Sequence, residues 1–482
     1  MIRRLVLAEM RNRPGRAALL LGGYALGVAV MVVLLAVGEA MLTQARDRAL
    51  LGGGDVIIVP AGITPEMLKA GGTNALFLGL EQARFIHRQI LESPRGREEL
   101  GISASSPILD GRLVRISHQG RAVQAIASAE IPSRAEAAGA APRLLSGRWS
   151  DSRADRQWAE PSPEELYHEI DAFHLPYGSA VGDSTWAEWH YFNVVLDEDR
   201  WIYLTYMVGG RIGTPGEWGG RLLVTLRDAD GTHRSISRDF EESAVRFDTT
   251  SADVTFEGGG SVVQRDGAYR LLGSADGVEL DLTIRPRPHR IFPPSDLGGN
   301  GLVSGYVVPA LAATAEGRVC LPDGEARACE TVSAAPAYHD HNWGVWRDVS
   351  WEWGAASGES LSLLFGAVHT SESRDQGLFA YLVDDRGVRG VYRASSIGKV
   401  GGVFVDVGGA RVEVPSRLTF TDSRRGIEVE IDIEDRQVTD LERVGARYFV
   451  QMRGTALVRL PGSPPQRLSG FFETYVDHTG RL

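Results

Sequence analysis

From residue 184 onward the chain is written almost entirely in short segments of alternating polar and apolar residues. They run "WAEWHYFNVVL", "RWIYLTYMV", "GRLLVTLRD", "VELDLTIRP", "LSLLFGAVH", "GLFAYLVDD", "IEVEIDIED" and "RYFVQMRGTALVRL", with turn residues between them. A period of two buries one face only in an extended strand, so this region is all-β, a sandwich or a barrel. The 57 glycines supply the tight turns that such a fold requires. The pattern occurs twice. "STWAEWHYFNVVLDEDRWIYLTYMV" (184–208) lies beside "RDVSWEWGAASGESLSLLFGAV" (347–368), with Trp189 and Trp353 at matching places one β-domain apart.

The N-terminal end follows another rule. Residues 17–38, "AALLLGGYALGVAVMVVLLAVG", contain no charge. As a helix they span roughly 33 Å, about the thickness of a bilayer's hydrocarbon. Arg3, Arg4, Arg11, Arg13 and Arg16 precede them, against Glu9 alone. The positive flank predicts a cytoplasmic N-terminus, with the bulk of the chain periplasmic or otherwise extracytoplasmic. The apolar run is longer than a signal peptide's and leads into Glu39 and Met41, so a single-pass anchor over residues 17–42 is expected. An oxidising compartment suits the only two cysteines, Cys320 and Cys329. They bracket a "PDG" turn, and a hairpin disulfide is expected. A net charge of −11 argues against nucleic acid as a partner.

Five parts are expected: residues 1–42 as N-terminus and membrane helix, 43–150 as a small α+β segment, 151–165 as a charged, proline-containing linker, and β-domains over 166–335 and 336–482. Within the second part "DVIIVPAG" (55–62) reads as a strand, "LFLGLEQARFIHRQILES" (76–93) as a helix and "GRLVRISHQGRAVQAIASAE" (111–130) as a hairpin turning at "QG". His87 and His118 are expected at the surface.

The densest chemistry is "AYHDHNWGVW" (337–346). On a strand, His339, His341 and Trp343 share one face, and Tyr338, Asp340 and Asn342 the other. His341 and Trp343 are a candidate base and indole. Asp340 would orient a neighbour, and Glu352, Glu188 and Glu473 are candidate acids. His339 is expected to be exposed. Trp189 and Trp353 could close a barrel end or line a ligand site. A metal on His339 and His341 would need a third ligand such as Glu352 or His369; no metal is expected. With no Walker or GxGxxG loop, no cofactor is expected.

Two resemblances extend this reading. "MIRRLVLAEMRNRPGRAALLLGGYALGVAVMVVLLAVGEAM", "GGGDVIIVPAG", "SSPILDG" and "LLSGRW" resemble the start of ABC-transporter permeases of the MacB/FtsX type, over about 150 residues. The resemblance implies transporter subunits as partners. "FHLPYG", "EWHYFN", "SGYVVPALAAT", "AYHDHNWG", "WEWG" and "GFFETYVD" are similar to the lipocalin-like AttH and carotenoid 1,2-hydratase (hydroxyneurosporene synthase) family, over about residues 165–482. That similarity implies two consecutive lipocalin-like β-barrel domains and a hydrophobic lipid, isoprenoid or carotenoid-like ligand. Such a ligand would lie near Trp189, Tyr191, Trp353, Phe365 and Glu188. It also implies acid–base hydration of a C=C bond through His341 and Trp343 as the alternative to simple binding. Where those hydratases carry a Tyr and an Asp on the next strand, this chain has Phe365 and His369.

Overall fold

In the computed structural model, described residues are 11–50, 56–58, 79–119, 121–140, 147–296, 304–323, 326–346, 349–370, 378–394, 396–440 and 447–477. The chain is mainly β, with one long apolar helix and a small α+β region before the sheets. It divides into two compact units: residues 1–78 with 104–152, and 79–103 with 153–482.

In the first unit, helix Pro14–Leu50 contains a stretch, Pro14–Gly38, long and apolar enough to cross a membrane. By length and composition it suits an anchor and a signal sequence alike. The expected hairpin is present as Ile108–His118 paired with Arg121–Glu130. Most of "DVIIVPAG" lies outside the described residues, and Val56, Ile57 and Ile58 form no strand. The expected 43–150 segment is not one body, because Gly79–Ser103 belongs to the β unit. There Leu80–Phe85 is α-helical and Ile86–Leu91 continues as a π-helical turn. His87 is buried, not at the surface, beside Trp158 at 5.7 Å between ring centroids.

The expected linker is helical. Arg153–Ala159 forms one helix, and Pro163–Asp171 a second that starts in a capping box between Ser162 and Glu165. Two antiparallel sheets follow. Eight of their strands build the site: β1 (Trp186–Val195), β2 (Trp201–Gly210), β3 (Ser304–Asp323), β4 (Ala326–Val345), β5 (Val349–Ser357), β6 (Ser362–Thr370), β7 (Arg447–Arg459) and β8 (Gln466–Asp477).

In the first sheet β2, β1, β4 and β3 are consecutive neighbours, and eleven strands run side by side with Phe292–Asp296 added along β3. Its two end strands, His233–Glu241 and Val245–Phe247, follow one another in the chain through Glu242–Ala244, so the sheet nearly closes into a barrel. The nine-stranded second sheet repeats the order: four strands in a meander, with the last strand of the domain, β8, paired to the first, β5. The repeat seen in the sequence is thus a repeat of topology. It also moves the expected domain boundary, since residues 336–345 close the first sheet as part of β4 and do not open the second.

Each sheet encloses its own core. Trp186, Phe192, Tyr206, Phe256 and Tyr269 fill the first, and Phe365, Leu382, Val414 and Phe472 the second. A third apolar layer lies between the sheets, where Tyr191, Tyr203, Tyr306 and Tyr338 meet Trp353, Tyr381 and Phe471. Cys320 and Cys329 face each other across β3 and β4 and form the expected disulfide.

Candidate functional site

Strand β4 runs between β1 and β3, and its alternation sends two chemistries in opposite directions. Opposite residues of an antiparallel pair point to the same face. His339, His341 and Trp343 pair with Phe192, His190 and Glu188 of β1 and turn into the first barrel. Tyr338, Asp340 and Asn342 turn towards the second sheet, with Tyr191 and Trp189 of β1 beside them.

The inward face is a largely buried polar cluster. Asp171, the last residue of helix Pro163–Asp171, joins it. Its Oδ1 lies 2.8 Å from His341 Nδ1 and its Oδ2 3.0 Å from His339 Nε2. His341 Nε2 lies 2.7 Å from Glu188 Oε1. Glu188 Oε1 also accepts the backbone N–H of His174 at 2.8 Å and stands 3.1 Å from its Nδ1. His339 and His341 are 0% exposed, whereas a third of the His174 side chain reaches solvent. The expected exposure of His339 is therefore wrong: it stacks on Phe192 at 4.0 Å. Burial alone would lower the pKa of His341, but its bonds to Asp171 and Glu188 outweigh that and push it up to about 9. Burial would raise Asp171, yet the surrounding histidines hold it well below the usual carboxylate range. His190 stacks on His341 at 4.0 Å, and burial, reinforced by that neighbour, drives its pKa well below the ordinary value. Neither of its ring nitrogens has a hydrogen-bond partner among the described residues.

The outward face builds a different site. Tyr191 of β1 donates to Glu473 Oε1 of β8 at 2.7 Å, and Gln451 of β7 donates to the same oxygen at 3.4 Å. Trp353 of β5 stands directly across from Glu473 in the ladder. Tyr338 donates to Asp340 Oδ2 at 2.8 Å, Asn342 to Asp340 Oδ1 at 2.6 Å, and the Trp353 indole N–H to the Tyr338 oxygen at 3.3 Å. Phe471, Tyr306 and Phe379 pack around these groups. Burial pushes Glu473 up to about 7, against the lowering effect of Tyr191 and Gln451. Burial also pushes Asp340 up to about 8, in spite of the Tyr338 bond and with help from Glu473. Both phenols are shifted well above their ordinary value by burial and then by their carboxyl partners, so they remain donors. Glu473 and Tyr191 are both buried in this layer.

Several solved structures are similar to part of this chain. A candidate AttH from Nitrosomonas europaea is 17% identical over 64% of this chain and 98% of its own, at TM-score 0.45. CghA, solved alone and with Sch210972, is 12% identical over 65% of this chain and 95% of its own, at TM-score 0.47 in the free form. A kievitone hydratase from Nectria haematococca is 12% identical over 64% of this chain and 98% of its own, at TM-score 0.45. No protein-family model and no curated protein sequence matches the chain.

The residues expected to act together divide between these two places. His341, Trp343 and Glu188 lie inside the first barrel; Asp340, Tyr191 and Trp353 lie between the sheets. Trp189 is half-buried against Trp346 at 4.8 Å, near the rim of that layer. Glu352 stands apart, paired with His369 and with Lys399 Nζ at 3.3 Å; burial would raise its pKa, but these partners lower it. Neither Glu352 nor His369 joins the histidines of β4, so neither supplies the third ligand that a metal on His339 and His341 would need. Phe365 points into the second core against Phe420 and Phe472, away from any ligand between the sheets. Asp171, His174, His190 and Gln451 were not singled out as site residues. Alternation along "EWHYFN" already sets His190 on the face of Glu188, and "SPEE" marks the helix that ends at Asp171.

Proposed function

We propose that this protein is an acid catalyst for a hydrophobic alkene, adding water across a C=C bond in the layer between its two sheets. Glu473 donates the proton to carbon, Trp353 stabilises the carbocation across its indole face, and Asp340 and Tyr338 direct the water, whose proton passes to the Glu473 carboxylate as the C–O bond forms. The hydrated alkene and the starting acid together balance the reaction. The observation that carries the reading is the setting of Glu473. It is buried opposite an indole, and its partners are the neutral donors Tyr191, Gln451 and Trp351. Such a carboxyl keeps its proton near neutral pH and presents it in a dry, aromatic space. An indole beside a desolvated cation contributes about 2 kcal/mol or more.

A place outside the cytoplasmic membrane, tethered through Pro14–Gly38, accompanies this reading. The basic N-terminal flank and the Cys320–Cys329 disulfide support it. A second reading, ligand carriage without chemistry, draws on the same aromatic layer. The two separate by mass spectrometry of the detergent-extracted full chain incubated with isoprenoid alkenes. Catalysis gives a product heavier by one water, lost in Glu473→Gln; carriage returns the ligand unchanged. Undiminished product formation by Glu473→Gln would overturn the acid assignment.

A further inference from the structure

The inward cluster takes no part in that chemistry, and its geometry points elsewhere. We infer that the first barrel binds one divalent transition-metal ion of the zinc kind through His174 Nδ1, Glu188 and His341 Nε2. These donor atoms lie within 4.8 Å of one another. Glu188 Oε1 is 3.1 Å from His174 Nδ1 and 2.7 Å from His341 Nε2. Donors held about 2.0–2.2 Å from a tetrahedral ion stand roughly 3.3–3.5 Å apart, so small side-chain shifts suffice to seat it. The two imidazoles, with centroids 5.5 Å apart and planes at 53°, converge and do not stack.

Three further features suit a cation at this point. Asp171 Oδ1 sits 2.8 Å behind His341 Nδ1, where it takes the N–H and leaves the Nε2 lone pair for the ion. That carboxylate–histidine–metal arrangement orients ligands in many metal sites. Glu188, 1% exposed, has a second oxygen, Oε2, buried with no hydrogen-bond partner among the described residues. A cation would satisfy it. Trp343 stacks on His174 at 3.8 Å and 10° and so fixes the ring that would close the site. Of the three ligands His174 is the one that reaches solvent, with a third of its side chain exposed. Two imidazoles and a carboxylate, without sulfur, favour zinc and its first-row neighbours over calcium or magnesium.

The test uses the detergent-extracted full chain, stripped with a chelator and titrated with Co²⁺. One equivalent should bind, with visible ligand-field bands, and elemental analysis of protein purified without chelator should find about one zinc-type ion per chain. His174→Ala and Glu188→Gln should each abolish the bands. Asp171→Asn should weaken binding about 10–100-fold. His174→Gln serves as the second variant, since the half-exposed loop position tolerates an amide; circular dichroism checks its fold. Failure of the wild-type chain to take up Co²⁺ stoichiometrically overturns the assignment, as does unchanged uptake in folded His174 and Glu188 variants. Neither result bears on Glu473, which belongs to the second sheet and meets the outward face of the first.

Discussion

Glu473 is the residue on which the proposed acid chemistry turns, and its titration makes two separable predictions. Its pKa in the fold is raised to about 7 by burial, partly offset by Tyr191 and Gln451. Hydration should therefore be fastest below about pH 7 and fall close to tenfold per pH unit above it, measured as kcat/KM against pH. The same shift affects stability. The unfolded carboxyl releases its proton near pH 4.5, so the native state binds more protons between that pH and about 7. Stability from this group is complete below the unfolded pKa and is lost as pH rises through the folded one, by roughly 2–4 kcal/mol. Denaturant melts of wild type and Glu473→Gln should thus diverge: the variant gains on wild type as pH rises from 4 to 8. A constant difference across that range would mean that Glu473 titrates normally.

The elements show how far the sequence can be read. Alternation in "AYHDHNWGVW" is enough to assign each side chain to a face, because a strand has only two. The cysteines around "PDG" were legible for a similar reason, since a hairpin turn brings its own ends together. Replacing both with serine should lower stability by about 2–3 kcal/mol in denaturant melts, lost equally on reducing the wild type. What alternation cannot supply is which distant segment meets a face. Asp171 reaches His339 across 168 positions, and Tyr191 reaches Glu473 across 282. The first contact depends on a short helix inside a stretch whose charge and prolines read as linker. Its N-terminal cap is local, however. Ser162 Oγ accepts from Glu165 N at 3.1 Å, and Glu165 Oε2 from Ser162 N at 2.9 Å. Ser162→Ala should cost about 1 kcal/mol and loosen the helix that carries Asp171, visible as faster amide exchange in residues 164–171. His339 was misplaced because a histidine between polar neighbours reads as solvated. Only the barrel's nearly closed wall turns that face indoors.

At the scale of the whole molecule, the two β-sheets share a layer that contains the acids, so stability and chemistry are linked there. Phe471 touches Tyr191, Tyr203 and Tyr338 of the first sheet from β8 of the second. Phe471→Ala should cost about 3–5 kcal/mol and uncouple the sheets, so that calorimetry shows two transitions where the wild type shows one. Strand β4 ties the molecule together more tightly still, since it serves the histidine cluster on one side and the acids on the other. Point changes separate these, as Glu473 and His174 variants should demonstrate. A single extra residue inserted within 337–345 would do otherwise. Every side chain beyond it would change sides, exchanging imidazole for carboxyl and carboxyl for imidazole. The protein would then forfeit proton transfer and metal retention in one stroke: a frame of nine residues is the common key to both.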